Sequence, residues 1–182
     1  MTEFRRIEST TVEWLQPKAS ERVFELRTDE ALVGSLRFRS NLGTLADAQT
    51  AQGAWTCKRI GFLNPRITIR VEGSDADLAI FKPDLWGHGI VTFKDGASYT
   101  WKPGSFWQTK WLFADSAGQE LLEFKQGTED HKWHDIFKTQ ATVTISSVAP
   151  RGEELSVLLC LGMYLLTAHE DDNAAAMAVV VG

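Results

Sequence analysis

Lys58, Arg59, Arg66 and Arg70 cluster around an Asn64-Pro65 turn, and several like charges along one edge can hold a phosphate or lipid headgroup through charge-assisted hydrogen bonds. The same side chains have an ordinary use, which is to discourage edge-to-edge pairing of strands. His131 and His134 have a spacing that suits joint chelation on a helix. Trp133, Asp135 and Phe137 around them alternate as a strand does, however, and strand residues three apart point to opposite faces, so no metal site is expected. Glu170, Asp171, Asp172 and Asn173 are contiguous instead of spaced as in a calcium loop, and read as a solvated helix exit. Cys57 shares a strand face with Arg59, which leaves one route to an acidified thiol. No nucleophile elbow, phosphate-binding loop, dinucleotide fingerprint, zinc-protease pair or spaced triad accompanies it, so neither a catalytic residue nor a cofactor is predicted.

Seven tryptophans are many for 182 residues. Trp101, Trp107 and Trp111 fall in adjacent strand-like segments, and a buried aromatic ladder is their expected use because such rings bury large areas. An exposed platform for stacking sugars or bases is the sharper alternative. Trp86, in Leu85-Trp-Gly-His-Gly89, sits in a glycine-rich connection and is expected to be exposed.

The elements that must position these residues are mostly strands. Alternating segments separated by turn residues run over Val12–Gln16, Val23–Arg27, Leu32–Arg39, Trp55–Phe62, Arg66–Glu72, Asp77–Lys82, Gly89–Phe93, Ser98–Lys102, Phe106–Phe113, Glu120–Lys125, Lys132–Lys138 and Ala141–Ser146. Asp95-Gly96, Pro103-Gly104 and Ala117-Gly118 mark turns. Only after residue 150 does the pattern change. Leu155 to Ala168 is apolar on every side of a helical wheel, and such a helix must be enclosed. Its length, about 21 Å, is short of the roughly 30 Å of a bilayer core, and acidic residues flank it at both ends, so no transmembrane span is predicted.

A barrel of about twelve strands leaves a lumen that its own side chains do not fill, and a helix about 10 Å across suits that space. The sequence therefore predicts a mainly β, closed antiparallel barrel over residues 12–146, enclosing a hydrophobic helix over 153–169. The tail 173–182 is expected either to add a strand or to stay mobile. With 43% hydrophobic residues the chain is read as one domain, 1–182. A net charge of −5 supplies no global field for duplex nucleic acid. Two cysteines in apolar surroundings and an N-terminus without a signal-like run point to reduced thiols and a cytoplasmic setting, with peripheral membrane contact left open.

The segment Trp55-Thr-Cys-Lys-Arg-Ile-Gly-Phe62, the run of short strands through Ile145 and the terminal apolar helix resemble the tubby-like superfamily, which includes tubby domains, phospholipid scramblases and LURP-one-related proteins. The resemblance covers roughly residues 10–170. It implies a twelve-stranded barrel threaded by its C-terminal helix, and, from the tubby branch, recognition of anionic lipid headgroups. The acidic calcium segment and cysteine-rich region of scramblases have no counterpart here. The expected function is a non-enzymatic binding module for anionic lipid or phosphate through Lys58, Arg59, Arg66 and Arg70. A scaffold with a protein partner is the second reading, and an enzyme of unknown class the third.

Overall fold

A computed structural model of the chain describes residues 4–29, 31–104, 109–126 and 138–181. Twelve strands precede one helix. The strands are β1 (Thr11–Gln16), β2 (Val23–Arg27), β3 (Leu32–Phe38), β4 (Ala46–Thr50), β5 (Gly53–Ile60), β6 (Arg66–Val71), β7 (Asp77–Pro83), β8 (Gly89–Phe93), β9 (Ser98–Pro103), β10 (Lys110–Ala114), β11 (Glu120–Gln126) and β12 (Lys138–Ile145), and the helix is α1 (Glu153–Val181). Each strand pairs with its neighbours in sequence, and β1 pairs with β12 to close an antiparallel up-and-down barrel. Closure leaves no free edge, which removes the hazard that the edge charges were expected to manage.

One strand, β4, was not expected. Its inward residues are Ala46, Ala48 and Thr50, too small to register as a hydrophobic alternation, yet they lie opposite large or sulfur-bearing neighbours, Leu36 and Trp55 across Ala48, Phe38 and Cys57 across Ala46. Small residues here have a packing purpose. The helix runs nearest β3, β4 and β5, while on the far side the aromatic rings of Trp101, Trp111, Phe113 and Phe124 fill the wider gap. The expected strand Lys132–Lys138 lies outside the described residues except for Lys138, the first residue of β12, and the strand expected at Phe106–Phe113 is observed at Lys110–Ala114.

Every residue of α1 from Leu155 to Thr167 is buried, about 20 Å of helix enclosed on all sides by the barrel. Gly162 lets the Phe124 ring lie flush on the helix, since a Cβ there would fall 2.2 Å from the ring. Several polar groups inside are paired: Thr50 Oγ1 with Ser156 Oγ (3.1 Å), and the Tyr164 hydroxyl, which donates to Thr44 O (2.6 Å) and accepts from Arg59 N–H (3.1 Å). At the helix start, the Trp55 indole donates to Glu153 (3.2 Å) and the Tyr99 hydroxyl to Glu154 (2.6 Å).

The helix does not stop near His169, and the tail is neither strand nor loose chain: α1 continues to Val181. Two causes are visible. Alanines 174 to 176 are strong helix formers, and the acidic run is not at a helix terminus but against the rim of the barrel, where basic partners meet it. Among the described residues, no helix is long and apolar enough to cross a membrane.

Candidate functional site

The strands alternate in direction, so the loops 39–45, 61–65 and 84–88 all lie on the rim from which α1 emerges. Each is a built structure. Arg22 Nη1 donates to Asn41 O (3.1 Å) and Gly43 O (3.2 Å), fixing the first loop. Gly61 opens the second with φ 86°, and a Cβ there would fall 2.6 Å from Asn64 O, so the turn needs glycine. In the third, Asp84 Oδ1 accepts from the N–H groups of Trp86 (2.8 Å) and His88 (3.0 Å), while Asp84 N–H donates to His88 O (2.7 Å).

These three loops hold out Leu42 (98% exposed), Phe62 (97%), Leu63 (93%), Leu85 (99%) and Trp86 (73%). Burying a side chain of this size stabilises a fold by about 1.5–3 kcal/mol, and none of the five contributes that here. The opposite rim is different in kind: its turns carry Glu72, Asp75, Asp95 and Asp115 beside Lys94 and Arg151, with Arg5 and Arg6 against it, and Val148 and Val71 are its only large apolar side chains of comparable note among the described residues, both about half exposed.

Below the apolar loops, the outer wall is basic. Lys58 faces outward opposite Thr68, Arg66 opposite Ile60, Lys82 opposite Ile90 and Lys102 opposite Leu112, all within two residues of their strand ends at this rim. No ion pair engages these four among the described residues. The four basic residues read from sequence are thereby separated. Lys58 and Arg66 belong to this belt. Arg70 is on the same outer face but at the far end of β6, paired with Asp77 (2.6 Å). Arg59 has the inward parity of Trp55 and Cys57, and at the rim both oxygens of Asp172 accept from its Nη1 (3.0 and 3.1 Å).

Arg59 and Arg22 account for the acidic run. Arg22 stacks 3.9 Å over Phe38 and donates to Asp171 (2.6 Å), and Gln126 donates to Glu170 (3.3 Å). The run expected to be a solvated exit is instead tied to the rim. Two cavities flank the emerging helix, with the Arg59–Asp172 pair between them. One, about 390 Å³, lies between the helix and the β6–β10 wall under the Leu85-Trp86 loop, lined by Ile67, Phe81, Trp101, Trp111, Leu165 and Leu166, with His169 and Asn173 at its mouth. The other, about 380 Å³, lies between the helix and the Arg22-Phe38 side. Trp101 and Trp111 stack at 5.3 Å and 11°, and the rings of His88 and His169 meet Trp111 edge-on at 5.9 and 5.4 Å. Among the described residues, the buried indole N–H groups of Trp111 and Trp14 have no partner.

Cys57 is not an acidified nucleophile. Burial, with the Asp47 charge adding to it, pushes its thiol up to about 12, and the Cys160 thiol is raised by burial as well. Both are closed off in the core. His131, His134 and Trp107 lie outside the described residues. Trp86 is exposed, as its glycine-rich connection predicts, whereas Leu42, Phe62, Leu63 and Leu85 were missed because loops were read as punctuation. Their signal is visible in Gly61-Phe-Leu-Asn-Pro65 and Asp84-Leu-Trp-Gly87, where two bulky apolar residues sit between turn formers. The chain matches no protein-family model, no curated protein and no solved structure.

Proposed function

We propose that this protein is a non-enzymatic module that docks on anionic membrane surfaces through the rim from which its helix emerges. The observation that carries the reading is that Leu42, Phe62, Leu63, Leu85 and Trp86 are held in solvent on one rim by three structured loops, two fixed by hydrogen bonds and one by the Gly61 turn. An apolar patch that the fold does not use marks an interaction surface. Its occupant follows from charge and depth. Tryptophan and flanking lysines and arginines suit the boundary between headgroups and acyl chains. Lys58, Arg66, Lys82 and Lys102 lie a few residues below the loop tips, about 3.3 Å per residue, which is headgroup depth when the tips are inserted. Each such cation contributes about 1 kcal/mol near an anionic leaflet. The opposite rim then faces away from the membrane, and Asp171 and Asp172 are neutralised by Arg22 and Arg59.

The site in this reading is the rim and its basic belt, with Lys58 and Arg66 retained from the sequence and Arg59 and Arg70 committed to ion pairs. Kinship with tubby-like and LURP-one-related proteins belongs to the same proposal, supported by the strand number and the threaded helix. Vesicle flotation tests it. Binding is expected to rise with phosphatidylserine content, to weaken with salt as screening shortens the range of the belt, and to fall at least about tenfold in Phe62→Ser/Trp86→Ser, a double variant that alters exposed side chains only and removes at least 1.4 kcal/mol of insertion. No binding at any lipid composition, with a protein partner recovered on the same rim, establishes the scaffold reading instead.

A further inference from the structure

We infer that the cavity beneath the Leu85-Trp86 loop is a binding site for a single-chain amphiphile with a carboxylate head, and that Asp172 is its built-in competitor. The cavity, about 390 Å³, is at the lower end of the range of about 300–1,000 Å³ typical of small-molecule sites. Its depth is apolar, formed by Ile67, Phe81, Leu165 and Leu166, and takes a hydrocarbon chain. Among the described residues, Arg59 is the arginine or lysine at its mouth.

The present partner of that cation is unusual for a ligand site only in being part of the same chain. Asp172 occupies Arg59 with both carboxylate oxygens, at 3.0 and 3.1 Å, from a side chain that is itself mostly in water. An exposed pair of this kind is weak, about 0–1 kcal/mol, so an incoming carboxylate whose tail is buried can displace it. The other acid at the mouth does not repel such a head strongly, because Asp84 is turned into its own loop, accepting two backbone N–H groups and lying 3.4 Å from His88 Nδ1. The site goes beyond the membrane reading, since the monomeric acid is to be bound with no bilayer present.

Titration calorimetry of the full chain with decanoate below its micelle concentration, with decanol as the uncharged comparison, tests this. One saturable site is expected. Asp172→Asn is expected to tighten decanoate binding by up to about fivefold, the worth of the displaced pair. Arg59→Gln is expected to weaken it by about tenfold or more, and decanol binding is to change with neither. Ala168→Phe, at the partly exposed helix position lining the mouth, is expected to abolish binding of both probes while a thermal melt shows it folded. Absence of saturable binding in folded wild type and Asp172→Asn overturns the inference, as does decanoate binding unchanged by Arg59→Gln or Ala168→Phe. Vesicle flotation of the same variants stays at the wild-type level if the rim loops dock the membrane, so each reading fails separately.

Discussion

Gly162→Ala is the perturbation that reports most sharply on whether α1 is threaded through the barrel. On an exposed helix, replacing glycine by alanine stabilises by about 1 kcal/mol. Here the added Cβ would lie 2.2, 2.6 and 2.8 Å from three atoms of the Phe124 ring. The ring has little room to retreat, because it is fully buried and packed edge-on against Trp101 (5.4 Å) and Phe113 (6.1 Å). Overpacking of a core costs about 1–3 kcal/mol, and a ring struck at three atoms and braced from behind belongs at the upper end. The net expectation is a loss of about 1–2 kcal/mol, which for a chain of this size lowers Tm by about 2–8 °C. Urea unfolding gives the free energy and calorimetry the Tm. Phe124→Leu in the Gly162→Ala background is expected to recover part of the loss, giving a favourable coupling of about 1 kcal/mol in a double-mutant cycle. A Gly162→Ala protein more stable than wild type by the amount an exposed helix would gain would refute the enclosed packing.

Other consequences follow from single residues. Tyr164→Phe removes the hydroxyl that serves both Thr44 O and Arg59 N–H, and is expected to cost about 1–3 kcal/mol in denaturant unfolding because two backbone groups at the helix exit lose their partner. Burial, and then the Asp171 charge, hold the Glu170 carboxyl above its ordinary range, so it favours the fold when protonated and that contribution is lost as pH rises through its raised folded value. Glu170→Gln is therefore expected to raise stability at neutral pH, by less than about 1 kcal/mol because the side chain reaches water, with the difference disappearing in paired melts near pH 4. With the Cys57 thiol pushed up to about 12 and both thiols enclosed, neither is expected to react with a thiol reagent at pH 8 until denaturant is added. Fast labelling of the native protein would contradict their placement.

The barrel was legible because most strands bury one face, and alternation records that directly, as in Ile67, Ile69 and Val71 against Arg66, Thr68 and Arg70. The enclosed helix was legible for the complementary reason that it has no polar face. β4 escaped because its own inward residues are alanine and threonine, and small residues that make space carry no hydrophobic signal. The extent of α1 escaped because Glu170, Asp171 and Asp172 look wrong for a helix end, whereas Arg22 and Arg59, distant in sequence, supply the charge that makes them acceptable there. The basic cluster was legible as composition but not as geometry: parity along β5 sends Arg59 inward and Lys58 outward, and the length of β6 puts Arg70 at the other end from Arg66. The apolar loop tips carry the candidate site, and they become visible only when topology gathers three separate turns on one rim.

A site-specific environmental probe reads which rim of the barrel meets the membrane. The native thiols are buried, so single cysteines at Leu63, on the apolar rim, and at Asp75, on the opposite rim, can each carry an NBD fluorophore. With phosphatidylserine-containing vesicles, the label at 63 is expected to shift to the blue and to be quenched by lipids carrying nitroxides on their acyl chains, while the label at 75 stays in water. Equal responses at both positions, or a response at 75 alone, would contradict the account.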